Sequence, residues 1–321
     1  MKAALIVNPG LKDAEAATRA VAVASAARGW ESPLILLTTT RQPGGPQAAR
    51  ALAAGVDRIL AVGGDGTLRQ VAGAMAKAGT LVPLGIVPVG AADIVARNIG
   101  VRPGRLRQAV AIALDGPPRP LSVGWVTCRR DGHEPAAEPM LIVAGIGRDA
   151  LAIATIRPWL KSHAGWLAYA EAGGRQALRR GVPMTVSIDG GPAEMVQAWS
   201  VLAAILPRLP MGVVAFPGTV VGGDAMQVLE VRLRQLADWG PVAIKGLAHT
   251  DADVAALRYI PARQVEIEPR RPLPVQIDGD LVRDVQALRV SLQPAAVRVA
   301  APGGTASGGA TPGGVAPGGA A

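Results

Sequence analysis

The sequence predicts an α/β plus β chain. Residues 1–118 read as a Rossmann-like parallel α/β domain, 119–300 as a β-sandwich domain with a cleft between the two, and 301–321 as a disordered Gly/Pro/Ala tail. Three observations carry this expectation. Short apolar runs alternate with amphipathic stretches up to Leu114, the pattern of a parallel sheet covered by helices. Beyond Gly116-Pro-Pro-Arg-Pro120 the texture turns to short apolar runs between Gly and Pro, which suggests a sandwich or barrel. Between the third run and the helix after it stands Gly63-Gly64-Asp65-Gly66-Thr67, a glycine-rich turn from strand to helix.

Taken in order, the expected strands of the first part are Ala3–Val7, Pro33–Leu37, Arg58–Val62 and Leu84–Val87. The expected helices are Ala14–Arg28, Gln47–Ala54, Thr67–Ala78, Ala92–Asn98 and Arg105–Leu114. Gly29, Gly55, Gly79 and Gly100 follow the first four, where a left-handed residue stops a helix at least cost. In the second part strands are expected at Leu121–Thr127, Met140–Ala144, Met184–Ile188, Met195–Ile205, Gly212–Phe216 and Met226–Leu233. Four more follow at Leu257–Ile260, Val265–Ile267, Val275–Ile277 and Ala287–Leu292. Helical stretches intervene at Asp149–Ile156, Trp166–Arg179 and Val242–Leu247. From Ala301 only Val315 is a large apolar residue, so nothing there can pay for ordering a chain.

Composition narrows the function classes. Half of the 321 residues are hydrophobic, but with six Trp, two Tyr and one Phe the core must be filled by Ala, Val and Leu. The start, Met1 to Pro9, is too short in its apolar part for a secretory signal, and no stretch reaches the roughly 18 apolar residues of a membrane span. Cys128 is alone, which excludes an internal disulfide and fits a reducing cytoplasm. His133, His163 and His249 lack metal-ligand spacing. The net charge of +9 suits an anionic membrane face or phosphorylated substrates, or simply an Arg-rich solvated surface. Nucleic acid is disfavoured, because the basic residues are dispersed and stacking aromatics scarce.

In a parallel sheet, ligands bind at the carboxyl ends of the strands. The four expected ends here carry Asn8-Pro9-Gly10, Thr38-Thr39-Thr40, the glycine turn, and Pro88-Val89-Gly90. All are small, polar or backbone-exposing, as a nucleotide crevice requires. At the glycine turn, backbone amides and the partial positive charge of a helix N-terminus together make an anion site. Asp65 puts a carboxylate there that could hold a metal or orient a hydroxyl; a tight connection with a capping aspartate is the alternative. Gly145-Ile-Gly147-Arg-Asp149-Ala150 matches a loose dinucleotide pattern, but in the β-rich half.

Asn8-Pro9, the Gly63–Thr67 turn and Leu84-Gly-Ile-Val-Pro-Val-Gly90-Ala-Ala-Asp93-Ile-Val-Ala-Arg-Asn98 resemble the diacylglycerol kinase catalytic-domain family. That family includes bacterial lipid kinases, sphingosine kinases and ceramide kinases. The resemblance continues through Gly145–Ala150, Leu160-Lys161 and Gly165–Tyr169 to Val275-Gln-Ile-Asp278-Gly279-Asp280. It implies ATP-dependent phosphorylation of a lipid hydroxyl, with ATP in the interdomain cleft, and a protein that is cytoplasmic or peripheral at the inner membrane face. Carried over, Gly63, Gly64, Asp65, Gly66 and Thr67 cradle ATP phosphates. Asn8, Gly90, Ala91 and a threonine after strand two lie nearby, Thr39 with Thr38 as an equal rival. Asp280 is the implied general base, with Asp65 orienting the nucleophile or the metal. A structural Mg2+ maps onto Asp224, with carbonyls near Val221 and Met226.

The chain departs from the family pattern at Ala91 and Asp93, where Thr and Asn are usual, and at Asp280, where Glu is. Around the implied metal the usual Asp-Gly is Asp224-Ala225, and Ile205-Leu206 stands for Asn-Gly. NAD kinases share the turn but carry an Asn-Glu pair; here neither Asn8 nor Asn98 precedes Glu. A nucleotide or lipid sensor without chemistry is the rival from another class.

Overall fold

The computed structural model describes residues 1–155, 181–209, 214–233, 238–241 and 254–303. Its first part runs β1 (Ala3–Val7), α1 (Ala14–Ala26), β2 (Leu34–Leu37), α2 (Gly45–Ala53), β3 (Arg58–Gly63), α3 (Asp65–Lys77), β4 (Leu84–Pro88), α4 (Ile94–Asn98) and α5 (Leu106–Asp115). The strands pair in parallel in the order β2-β1-β3-β4. Every residue of β1, β3 and β4 is buried, because helices cover both faces. Leu5 and Val7 face Ala17 and Val21 of α1 and Val110 of α5. Their neighbours Ala4 and Ile6 join the other core, with Ala48 of α2 and Leu68, Val71 and Met75 of α3. The period of two in the strands thus separates two hydrophobic layers.

The second part adds β5 (Pro118–Arg129), β6 (Glu138–Met140), β7 (Val143–Gly147), α6 (Arg148–Thr155), β8 (Val182–Ile188), β9 (Glu194–Ala198) and β10 (Ser200–Ala204). After these come β11 (Met226–Val231), β12 (Leu257–Ala262), β13 (Gln264–Pro269), β14 (Leu273–Ile277), β15 (Asp280–Val285) and β16 (Ala287–Ala300). Strand β16 lies antiparallel to β5 from Ala287↔Arg129 to Ala300↔Pro118, and its Val299 also pairs with Leu84 of β4. The ten-stranded sheet is therefore continuous across residue 118. A second, antiparallel sheet has the order β12-β11-β10-β7-β14-β15. Its Ile146, Val201, Val228 and Val275 share one core with Leu121, Val123, Val265 and Val290 of the first sheet, which is the expected sandwich.

Several element boundaries differ from expectation. Met140–Ala144 divides between β6 and β7, and Met195–Ile205 into β9 and β10 at Trp199. Strand β5 begins within the Pro118–Pro120 segment, at an end where only β16 pairs with it, so the missing proline amides face no partner strand. Strand β16 runs on to Ala300 through a register shift between Gln293 and Val297, where Ala295 has φ 49°. Of Gly212–Phe216, only a bridge from Val214 to Arg208 is formed in the described residues. The helices expected at Trp166–Arg179 and Val242–Leu247 lie outside the described residues, as does the tail from 304 onward. No helix among the described residues is long and apolar enough to cross a membrane.

Candidate active site

The carboxyl ends of the parallel strands meet in one row. Thr38 N donates to Val7 O at 2.8 Å, Asn8 N to Val62 O at 3.0 Å and Val89 N to Gly63 O at 3.2 Å, so each ladder extends one residue past its strand. Beyond that row the backbones of Gly64 and Gly90 nearly touch. A β-carbon on Gly90 would stand 2.6 Å from Gly64 Cα, closer than any side chain permits. A β-carbon on Gly63 would stand 2.8 Å from Thr67 Cβ, because Thr67, only 6% exposed, folds back under the turn. Gly66 is exposed, with open space where a β-carbon would project.

Helix α3 begins at this crossing. Its N-cap, Gly64, is extended and offers no side-chain acceptor to the first turn. The amides at the start of α3 are donors without a side-chain cap, beside the opening at Gly66, with the helix dipole behind them. Such an arrangement fits a phosphate group, and ATP phosphates fit it by the same donors.

Asp65 does not face that opening as a free carboxylate. Its Oδ2 accepts from Ile94 N at 3.0 Å and its Oδ1 from Val95 N at 3.1 Å, capping α4. The capping alternative is thus realised, but on the neighbouring helix, and the expected catalytic part for Asp65 narrows to that of a strut between two loops. Burial raises its pKa, against the two amides and Arg97, which lower it. Asp93, 4% exposed and left-handed at φ 47°, accepts from Gly90 N at 3.1 Å and closes the second loop. Burial, and then the nearby Asp65, push its carboxyl up to about 6.

Asn8 and Thr39 each accept one local hydrogen bond. Asn8 Oδ1 accepts from Gly10 N at 3.1 Å, and Thr39 Oγ1 from Gln42 N at 3.0 Å in a turn on the exposed side. Thr38 is buried beside the end of β1. Ala91 is exposed at the crest of the loop after β4.

Asp280 reaches the site through a residue the sequence did not single out. Arg69, on α3, donates from Nη2 to Asp280 Oδ2 at 2.6 Å and from Nη1 to Ile277 O at 2.7 Å. The Arg69 side chain is 7% exposed and that of Asp280 67%. The turn itself is fixed by Asp278, left-handed at φ 50°, whose carboxylate accepts from the amides of Leu141, Ile142 and Val143. Burial pushes Asp278 up to about 6, against those amides and Arg69, which lower it. One turn further along α3, Gly73 admits Pro139 of β6; a β-carbon there would stand 2.5 Å from Pro139 Cγ. Nothing local marks Arg69, which shares α3 with Asp65, Thr67, Gln70 and Lys77.

At the implied magnesium site the Asp224 side chain is engaged by an arginine. Asp224, 80% exposed, pairs with Arg263 Nη2 at 3.2 Å, and Arg263 Nε donates to Asp224 O at 3.2 Å. The guanidinium thus takes one carboxylate oxygen and the main-chain carbonyl of Asp224. Met226 opens β11, and the loop before it rests on β5, where Ser122 Oγ donates to Gly223 O at 2.7 Å. Among the described residues no three His, Cys, Asp or Glu converge as a metal cage. Of the resemblance, Leu160-Lys161 and Gly165–Tyr169 lie outside the described residues.

The chain is similar in sequence and fold to known proteins. A family model described as the diacylglycerol kinase catalytic domain matches residues 2–126. A Pseudomonas aeruginosa protein named "Probable lipid kinase YegS-like" is 29% identical over 282 residues, 79% of this chain and 80% of its own. The "Diacylglycerol kinase" of Bacillus subtilis is 25% identical over 228 residues, 70% of this chain and 71% of its own. A crystal structure of a diacylglycerol kinase from Bacillus anthracis superposes with a TM-score of 0.68 at 19% identity, covering 94% of this chain and 97% of that one, and so shares the fold. The glycine turn and the paired loops lie inside residues 2–126, the segment that matches the diacylglycerol kinase catalytic-domain model.

Proposed function

We propose that the chain is an ATP-dependent lipid kinase that transfers the terminal phosphoryl group of ATP to a lipid hydroxyl. The observation that carries this reading is the uncapped start of α3 at the Gly64–Gly90 crossing, with the Asp280 carboxylate held to the same helix by Arg69. One helix then carries the anion donors and, through Arg69, anchors the exposed Asp280 carboxylate. Phosphoryl transfer asks mainly for positioning and charge stabilisation, and both are supplied by such a frame.

The nucleotide would supply the phosphoryl group; the chain supplies the rest. Amides from Gly64 to Thr67 hold the phosphates, and Gly66 leaves the approach open. Asp280 accepts the proton of the lipid hydroxyl as the new oxygen–phosphorus bond forms and the bond to the ADP oxygen breaks. The acceptor would be met at a bilayer, and a net charge of +9 suits an anionic face on its cytoplasmic side. No step is assigned to a metal at Asp224.

The test is purified protein with labelled ATP and magnesium against diacylglycerol, a sphingoid base, ceramide and NAD, with products separated. Phosphorylated lipid is the expected result. Phosphorylated NAD would make the chain an NAD kinase. ATP binding without product would favour the sensor reading, for which the buried Asp93 carboxylate beside the cradle is the specific argument.

A further inference from the structure

We propose that Arg69 is the positioning residue for Asp280, setting the carboxylate on α3 in fixed relation to the phosphate-binding amides. The inference rests on the kinase reading and concerns how the base is placed. Asp280 stands at the start of β15, with a largely exposed side chain that would otherwise sample several rotamers. Its backbone is already held: Asp278 takes three amides of 141–143, and Gly279 N donates to Gln276 Oε1 at 3.0 Å. The side-chain torsions are the freedom that remains, and Arg69 removes it.

An exposed ion pair would do this weakly, because both partners would have to be ordered against solvent. Here one partner is ordered beforehand. The guanidinium is buried and anchored on Ile277 O, so only the short aspartate has to be fixed. A planar guanidinium donating to Oδ2 at 2.6 Å leaves Oδ1 to receive a proton. The same helix starts with the amides of the cradle. Asp65 and Arg69 are four residues apart, so one face and about 6 Å of helix separate the phosphate donors from the clamp. A change in the side-chain length at either end shifts the base relative to the phosphate.

The experiment compares wild type, R69M, R69K, D280E and the R69M/D280E double variant, measuring kcat and KM for ATP with lipid acceptor and the melting temperature of each. The expected result is a fall in kcat of about 10²-fold for R69M with KM for ATP changed less than about threefold. R69K should recover part of kcat, since Lys restores the charge but not both hydrogen bonds. The sharper readout is a reversal of preference. With Arg69 present, aspartate should outperform glutamate, which overshoots the clamped position; in the R69M background glutamate should equal or exceed aspartate. D280E lies at an exposed position, so its folding is secure even if R69M melts early. Unchanged kcat in R69M, or the same aspartate-to-glutamate ratio in both backgrounds, overturns the positioning role while the kinase reading stands. Absence of transfer by wild type overturns the kinase reading itself, and this role with it.

Discussion

Gly64 and Gly90 approach so closely that a β-carbon on Gly90 would lie 2.6 Å from Gly64 Cα. The contact joins the loops after β3 and β4 and leaves the start of α3 uncovered. G90A must push the loops apart, at a cost of about 1–3 kcal/mol in urea denaturation, the range of an overpacked contact. Because the same crossing shapes the cradle, ATP affinity should fall with it. Unchanged stability would mean that the loops are not in contact.

The strut from Asp65 to α4 should also be measurable. D65A removes both acceptors from Ile94 N and Val95 N and should cost about 1 kcal/mol, as the loss of a helix cap does. It also removes one cause of the raised Asp93 pKa, so Asp93 should titrate lower in the variant. NMR titration of the Asp93 carboxyl checks the second effect, and an unmoved midpoint would separate the two groups.

Stability should depend on pH through Asp93. Its folded pKa, about 6, lies above the ordinary 3.8, so between those values the native state binds more protons than the unfolded one. Stability from this group is therefore full below about pH 4 and lost as pH rises through about 6. D93N keeps an acceptor for Gly90 N and removes the charge. It should raise stability at pH 7.5 by on the order of 2–3 kcal/mol and change it little at pH 4. Thermal melts of both proteins at the two pH values decide this; equal gains at both would contradict it.

Arg263 should make the Asp224 loop indifferent to magnesium. In the absence of nucleotide, millimolar magnesium is expected to leave the melting temperature unchanged. R263A should cost under about 1 kcal/mol, as exposed ion pairs do. A clear magnesium-dependent rise in melting temperature in wild type would restore a metal to that loop.

What could be read in the chain beforehand follows from how local each signal is. Ala3–Val7 was legible in full because a buried parallel strand is a continuous apolar run. Gly29, Gly55, Gly79 and Gly100 were legible as helix stops, and all four have positive φ. The glycine turn marked the site because three glycines in five residues serve the backbone, not a core. Strand β15 was hidden: Asp280, Arg283 and Asp284 give it the polarity of a loop, which an edge strand can carry. The break at Trp199 was hidden too, since β9 and β10 belong to different sheets and no turn residue announces the change. Arg69 could not be found at all from local pattern. Its partners Ile277 and Asp280 are 208 and 211 residues away in sequence.

The central claim is that backbone amides at the start of α3 grip the phosphates of a nucleotide, and amide NMR tests it most directly. Glycine amides are titrated with ATP, ADP and adenosine in the presence of magnesium. Gly64 and Gly66 should shift strongly with ATP, less with ADP and little with adenosine, and G90A should weaken the response. Stationary Gly64 and Gly66 resonances while others move with ATP, or equal responses to ATP and adenosine, would contradict it.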